Sequence, residues 1–369
     1  MKIRRIKTIG KITDGATVPC HRLLLPFYLF TFLLLFTSCS MIDEDQSDCG
    51  KEAKIDYELR LITNMSIELE TKLDSINDKD VKEALREYLK NIFTDFAHDV
   101  DLSFYDTKGD STRLYHDKHI MDANQKSYTL YLPIREYMHL AAANLVNNTQ
   151  VGLADDERCH PSKLLQQASD TIKPHTTGLF TARLPMDVKE NEDQSFNVKL
   201  YMANCAAALV LDNQGYDTRG MQVIASGFAS GFNINDSTFT FGKASVVNTD
   251  ELNVKNDRQQ CFCSVNFPSR EPETTRTVIE TEEPFIAQEG DKSLWEFQVY
   301  VPDPSSAQSR AGRKITRTVL RLWKPLRAGQ LIIIRGRVQK DGSIATNMPE
   351  VGVSVTLDWK PGNTYYPEI

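Results

Sequence analysis

The chain has 369 residues, of which 43 are basic and 50 acidic, for a formal charge of −7. The first 38 residues differ in composition from the rest, and without them 37 basic side chains face 49 acidic ones, a charge of −12. That balance disfavours nucleic acid or an anionic membrane surface as partner, and the roughly 330 residues that remain suffice for two domains of ordinary size.

Met1 to Arg22 carries Lys2, Arg4, Arg5, Lys7, Lys11 and Arg22, with Asp14 as its only acid. An apolar run of 14 residues follows, Leu23 to Phe36, and then Thr37, Ser38 and Cys39. A basic start, a short apolar stretch and small residues at a cut describe a secretory signal. The run is shorter than the roughly 20 residues a membrane-spanning helix needs, and Pro26 interrupts it. Phe36-Thr37-Ser38-Cys39 has the form of a lipobox, with Phe36 where Leu is commoner. Cleavage before Cys39 would leave a lipid-bearing cysteine as the first mature residue. The competing expectation is an ordinary soluble secretory signal cut nearby. A single acyl chain holds weakly, at about 0.8 kcal/mol per buried CH₂, so a stable anchor needs two or more.

Residues 40–52 are polar and acidic, the composition of a tether. Asp43-Glu44-Asp45, close after the cysteine, suggests export to the outer face of the outer membrane. From Ala53 the chain alternates Ile55, Tyr57, Leu59 and Leu61 with polar residues, which predicts a strand. Between residues 79 and 99, Val81, Ala84, Leu85, Tyr88, Leu89, Ile92 and Phe93 recur at helical spacing. Strands are predicted at Leu102–Tyr105, Tyr128–Leu132 and Tyr137–Leu145, and an irregular connection over 147–176. A second block opens near Phe180, with Phe196-Val198-Leu200-Met202 alternating and Ala206–Leu211 apolar. Further strands are predicted at Met221–Ala225, Ser237–Phe241, Cys261–Asn266, Leu294–Val301, Ile315–Trp323, Leu331–Val338 and Val351–Trp359. Residues 269–284 read as an exposed charged loop. Many short strands between turn signals, with little helix, indicate an all-β chain built of antiparallel sandwiches. The divisions expected are a signal peptide (1–38), a tether (39–52), an N-terminal sandwich with a helical insertion (53–178) and a C-terminal sandwich (179–369).

Chemistry-bearing residues are scattered. Cys49, Cys159, Cys205, Cys261 and Cys263 follow Cys39, an odd count with no framework spacing, which leaves room for one or two disulfides and at least one free buried thiol. Cys261 and Cys263 point the same way along a strand, and adjacent i, i+2 sulfurs rarely bridge. His116 and His119, around Asp117, would lie on opposite faces of a strand and read as exposed loop histidines rather than a metal site. Cys159-His160 has no surrounding nucleophile motif. Gly227-Phe228-Ala229-Ser230-Gly231 lacks the Lys and the helix of a phosphate cradle. Trp295, Trp323 and Trp359 fall in or beside strands, as core or sheet-edge residues. Nothing here forms a catalytic constellation, and neither an enzymatic role nor a cofactor is expected.

Asp48-Cys49 after the lipid cysteine, the strand Ile55-Asp56-Tyr57-Glu58-Leu59-Arg60-Leu61, and Tyr128-Thr129-Leu130-Tyr131-Leu132-Pro133 followed by YMHLAAANLVNN (137–148) resemble the FimB-type fimbrial anchor and assembly family of the Bacteroidales. The strands FNVKLYMANCAAALVL (196–211) and Val351–Trp359 extend the resemblance over most of the mature chain. Gly50 stands where the family has Pro. The resemblance implies two tandem transthyretin-like sandwiches in a lipid-anchored, surface-exposed protein of the outer membrane. It also implies a place at the base of a fimbria, with fimbrial stalk subunits as partners. The ten residues after Trp359 are too few for a donor strand, an expectation that favours an anchor or accessory subunit. Subunit contact by strand addition is expected at two strands taken as edges, through Ile55, Tyr57 and Leu59 on one and Val353, Val355 and Leu357 on the other. The alternative is a surface lipoprotein that binds glycan or a host ligand through the same sandwiches.

Overall fold

The computed structural model describes residues 52–61, 65–108, 111–120, 127–146, 148–154, 162–166, 171–190, 194–241, 246–272, 277–279, 294–306, 314–349 and 351–358. The chain divides into two units, Met1–Gly50 and Lys51–Ile369, and the described residues all belong to the second. The signal segment, Cys39, the acidic tether up to Lys51, Cys49, Cys159, His160 and Trp359 lie outside them, and Glu52 of the expected tether opens the first strand.

The elements begin with β1 (Glu52–Leu61), α1 (Met65–Leu73), α2 (Lys79–Leu89), β2 (Asp99–Asp106), β3 (Arg113–Ile120), β4 (Ser127–Pro133) and β5 (Glu136–Ala143). Next come β6 (Val151–Ala154), β7 (Lys163–Gln166), β8 (Thr171–Ile172), β9 (Phe180–Asp187), β10 (Gln194–Met202), β11 (Cys205–Asp212) and β12 (Gln222–Ser226). The remainder are β13 (Gly231–Asn233), β14 (Thr238–Phe241), β15 (Val246–Asn248), β16 (Asp250–Leu252), β17 (Gln259–Asn266), β18 (Thr277–Ile279), β19 (Trp295–Pro302), β20 (Ile315–Leu322), β21 (Leu331–Val338), β22 (Ile344–Ala345) and β23 (Val351–Asp358).

Among the described residues four sheets form, and the chain is mainly β. A seven-stranded sheet has the order β3-β2-β5-β9-β10-β1-β4, and a six-stranded sheet the order β23-β20-β19-β12-β15-β8. Two five-stranded sheets run β16-β17-β11-β21-β22 and β18-β14-β13-β7-β6. The expected antiparallel pairing holds for most ladders, but not at two central ones. β1 lies parallel to β10, and β11 parallel to β21, each over seven residue pairs. The seven-stranded sheet also takes in β9 and β10, after the chain has already entered two other sheets through β6, β7 and β8, so a division at residue 178 would split this sheet.

Alternation makes β1 what it is. Ala53, Ile55, Tyr57 and Leu59 are buried while Lys54, Asp56 and Arg60 face solvent, the period of two that one buried face imposes. Helix α2 starts at Asp78, whose carboxylate accepts from the amides of Asp80 and Val81 at 2.9 and 3.1 Å and so satisfies two of the four free donors of a first turn. It buries Val81, Leu85 and Leu89. The helical spacing that predicts a helix to residue 99 overruns its end by ten residues. The Ile92 and Phe93 amides both bond to the Leu89 carbonyl, at 2.9 Å each, and a tight turn keeps these two apolar side chains buried where another helical turn would have placed them. Helix α1 buries Met65, Leu69 and Leu73 at a four-residue step; it went unpredicted.

Among the described residues three cores hold the sheets. The first joins one face of the seven-stranded sheet (Tyr57, Leu59, Leu102), both helices (Leu69, Leu85) and one face of the β11 sheet (Ala206, Cys263). The second fills the sandwich between the β11 sheet and the six-stranded sheet, with Leu209, Phe262 and Ile334 against Trp295, Phe297 and Leu320. The third sets Tyr105, Leu140 and Ala142 of the seven-stranded sheet against Leu164, Phe232 and Phe241 of the remaining five-stranded sheet. The β11 sheet is thus apolar on both faces, which explains its unbroken run Cys205–Leu211.

The turn after α2 is closed against Gly178. A Cβ added there would lie 2.2 Å from the Ile92 carbonyl oxygen, and the Gly178 amide already bonds to Asn91 at 3.3 Å. Backbone faces backbone, so neither side can give. Gly178→Ala is expected to cost about 3 kcal/mol or more, as overpacking against fixed atoms does. Gly152→Ala, with nothing within 4 Å of its added methyl, is expected to shift the urea midpoint little. Equal midpoints for the two variants would contradict this account.

Candidate functional site

The two strands expected to make subunit contacts have different surroundings. β1 is interior: β10 pairs with it on one side and β4 on the other. Ile55, Tyr57 and Leu59 are buried in the first core. Its alternating pattern reports a buried face, but β1 has no unpaired edge to offer, and the expectation of contact there is corrected.

β23 is an edge. It pairs along its whole length with β20 and ends the six-stranded sheet. Residues directly opposite in an antiparallel pair share a face. Val351, Val353, Val355 and Leu357 stand opposite Leu322, Leu320, Thr318 and Thr316, all four of them buried. The valine row therefore lies on the core side of the sheet. Even so, Val353 is 43 % exposed and Val355 46 %, while the side chain of Leu357 lies outside the described residues. The sandwich is open along this edge.

The other sheet edges are guarded or short. β3 carries Arg113, His116, Asp117 and Lys118. β4 ends at Pro133, and its inward row Tyr128, Leu130 and Leu132 is buried. β6, β8, β16, β18 and β22 have two to four residues each. β23, with the sequence VGVSVTLD, has neither Pro nor charge before its last residue, so it lacks the devices by which exposed edges usually avoid pairing.

The polar candidates fall elsewhere. His116 is on β3, not in a loop, and exposed, with Nε2 3.0 Å from both oxygens of Asp101. Lys118 reaches the same carboxylate at 3.2 Å. Among the described residues no group of three or more His, Cys, Asp or Glu is arranged to hold a metal ion. Cys205, Cys261 and Cys263 are free, buried thiols. Burial pushes all three up, Cys261 to about 12, so none has the thiolate character a nucleophile needs. The glycine run at 227–231 is structural: Gly227 has φ +96°, and a Cβ there would lie 2.6 Å from the Leu294 carbonyl oxygen. Within the charged stretch 269–284, Thr277–Ile279 forms β18, parallel to β14. The connection over 147–176 contains β6, β7 and β8.

Two buried histidines were not singled out by sequence. His139 donates from Nδ1 to the Ser103 carbonyl at 3.0 Å and accepts at Nε2 from the Tyr57 hydroxyl at 2.5 Å. Its ring stacks on Phe104 with centroids 4.2 Å apart. His175 is buried beside Phe267, 4.9 Å between centroids, with no partner for either ring nitrogen. Burial lowers their pKa values to about 4 and about 3.

One cavity of about 690 Å³ lies between the β11–β12 turn and the β21–β22 hairpin, lined by Asn213, Gln214, Tyr216, Gln339, Lys340 and Asp341 among others. Its polar atoms serve its own turns. Asn213 Oδ1 accepts from the Gly215 amide and Asp341 Oδ1 from the Ser343 amide, both at 3.0 Å. Of the tryptophans, Trp295 is core and Trp323 is exposed.

No family model and no curated protein sequence matches this chain. Solved structures are similar to it at low identity. A candidate adhesin from Bacteroides ovatus aligns at 11 % identity and TM-score 0.48, over 83 % of this chain and 96 % of that one. The fimbrial anchor protein Mfa2 from Porphyromonas gingivalis aligns at 8 % identity and TM-score 0.44, over 84 % and 99 %. A fimbrial assembly protein from Parabacteroides distasonis aligns at 12 % identity and TM-score 0.36, over 83 % and 99 %.

Proposed function

We propose that this protein is a lipid-anchored subunit at the base of a cell-surface fimbria, tied to the outer membrane through Cys39 and joined to the first stalk subunit at β23. The observation that carries the reading is the β23 edge, with no charge before Asp358 and with its core-side valines open. An incoming strand would supply main-chain hydrogen bonds along β23 and cover Val353 and Val355, the geometry of strand addition. The signal segment, the lipobox and the family resemblance of the sequence supply the anchor half of the reading. The role needs no catalytic step: it requires one end fixed in lipid and one sheet edge ready to pair. The two sandwiches in series would act as the rigid spacer between them.

The test is a deletion strain beside a Cys39→Ala strain, with fimbriae counted by electron microscopy on cells and in the medium. Shed fimbriae are expected in both, since an unlipidated base could still cap a fimbria without holding it. Cell-bound fimbriae of normal number and length in the Cys39→Ala strain would end the anchor reading.

A further inference from the structure

We infer that the parallel ladders β1·β10 and β11·β21 are mechanical clamps in series, which carry tension between the N-terminus and β23. The inference rests on the proposed function for the two ends of the load, lipid ahead of β1 and a stalk subunit on β23; the topology supplies the rest. Most ladders of the fold are antiparallel, and these two exceptions stand on the covalent route from one end to the other. Tension enters at Glu52, the first residue of β1, and leaves the seven-stranded sheet at Met202, the last residue of β10. Ala203-Asn204 passes it to Cys205 at the start of β11, and from Val338 at the end of β21 the chain leads through β22 to β23. The remaining parallel pairs among the described residues, β14·β18 and β15·β8, have three and two residue pairs and lie off this route.

Geometry decides what tension does to a ladder. When the strands of a parallel pair are pulled from opposite ends, the pair is sheared: its evenly spaced bonds share the load and must fail together. Pulled from one end, the same pair opens one bond at a time. Residues 55–61 lie alongside 194–200, and 206–212 alongside 331–337, seven pairs in each ladder. Each ladder extends about 20 Å along its strands against about 4.8 Å across. A pull between Glu52 and Met202, or between Cys205 and Val338, is therefore directed along the strands.

Side chains oppose slipping as well. β4 holds the other side of β1 over a further seven pairs. A slip by one residue would turn Asp56 and Glu58 into the core and Ile55, Tyr57 and Leu59 out of it. A slip by two keeps the faces but draws the Tyr57 hydroxyl off His139 Nε2, 2.5 Å away. In the second ladder Leu211 stands opposite Gly336, and the missing side chain makes its seat: a Cβ added there would lie 3.1 Å from Leu211 Cδ2 and 2.9 Å from Ile344 Cγ2. Drawing β11 two residues toward its N-terminus would set Leu211 opposite buried Ile334 instead, and close-packed cores resist such exchanges.

Optical-tweezers unfolding of the purified chain from Ser40 onward, which contains the whole Lys51–Ile369 unit, tests the clamps by moving the handles. Handles at the N-terminus and at exposed Lys340, just past β21, shear both ladders. The N-terminus with exposed Glu190, between β9 and β10, peels the first ladder, and Glu190 with exposed Gln330, just before β21, peels the second. Forced unfolding reads the barrier along the pull, whereas the equilibrium stability is common to all three geometries. The Lys340 geometry is expected to hold to at least about twice the force of either peeling geometry at one pulling rate. A force no greater than either peeling force would overturn the proposal. No stalk subunit takes part, so that result would leave the anchor reading standing, and failure to capture a fimbria would leave the clamps standing.

Discussion

Between pH 7 and pH 4 the fold is expected to lose about 6 kcal/mol through His139 and His175, independently of its carboxylates. Both rings are buried and stay neutral in the folded chain, with pKa values of about 4 and about 3. In the unfolded chain each protonates near 6.5. Below that value the unfolded state binds more protons, so the contribution is fully present above pH 6.5 and is lost as pH falls towards the folded values. At pH 4 each ring accounts for about 3 kcal/mol, and the pair for an amount comparable to the whole stability of many domains. The two rings differ in what neutrality secures. His139 is fixed as a donor at Nδ1 and an acceptor at Nε2 by Ser103 and Tyr57; a proton on Nε2 would remove the lone pair that Tyr57 uses. The His175 ring has no hydrogen bond to lose, so only the desolvation of its charge acts. His175→Leu is therefore expected to unfold at pH 7 with a urea midpoint near that of the wild type, and to keep about half of the stability the wild type loses by pH 4. Comparing variant with wild type at each pH removes the shared carboxylate contribution. Parallel pH profiles for the two proteins would show that His175 is not the buried neutral group described.

What the sequence made legible follows from what hydrophobic periodicity measures. It reports which side chains face a core, and so the strands predicted at Ile55–Leu61, Phe196–Met202 and Ile315–Trp323 end within three residues of β1, β10 and β20, and the strand predicted from Val351 starts where β23 does. It does not report neighbours. β1 and β23 read alike, as alternating strands, yet one lies between two partners and the other has one. Only long-range pairing decides that, and the parallel ladders β1·β10 and β11·β21 were hidden for the same reason. Helix α1 escaped because exposed Ile67 lies between Met65 and Leu69 and blurs a three-residue apolar stripe. β6, β7 and β8 are too short to carry a pattern. His116 looked like a loop residue because β3, an edge strand, carries polar residues on both faces. Cys39 is the reverse case: the sequence carries the whole argument for lipid attachment.

Val353→Asp with Val355→Asp is expected to abolish capture of the stalk subunit while leaving the fold intact. Both side chains are nearly half exposed in the free protein, so the unfolding midpoint is expected to stay within about 0.5 kcal/mol of wild type. Strand addition changes their surroundings. The added strand would close the sandwich over the row that Val353 and Val355 share with Leu320 and Thr318, and two carboxylates would then be desolvated beside an apolar core. Burying even one unpaired polar group costs about 1–3 kcal/mol, so two charges should weaken capture by at least about a hundredfold. Asp is chosen over Lys because a long side chain could carry its charge back to water. Tyr131→Asp is the control: Tyr131 is exposed on the edge strand β4, whose inward row is already covered, and its replacement is expected to leave capture unchanged. The measurement is co-purification with fimbrial subunits, joined to hydrogen exchange of the 351–358 amides, which should slow in the complex if β23 gains a neighbour. Undiminished capture by the double variant, or amides that exchange equally with and without the stalk, would move the contact off β23 and leave the open valines without a role.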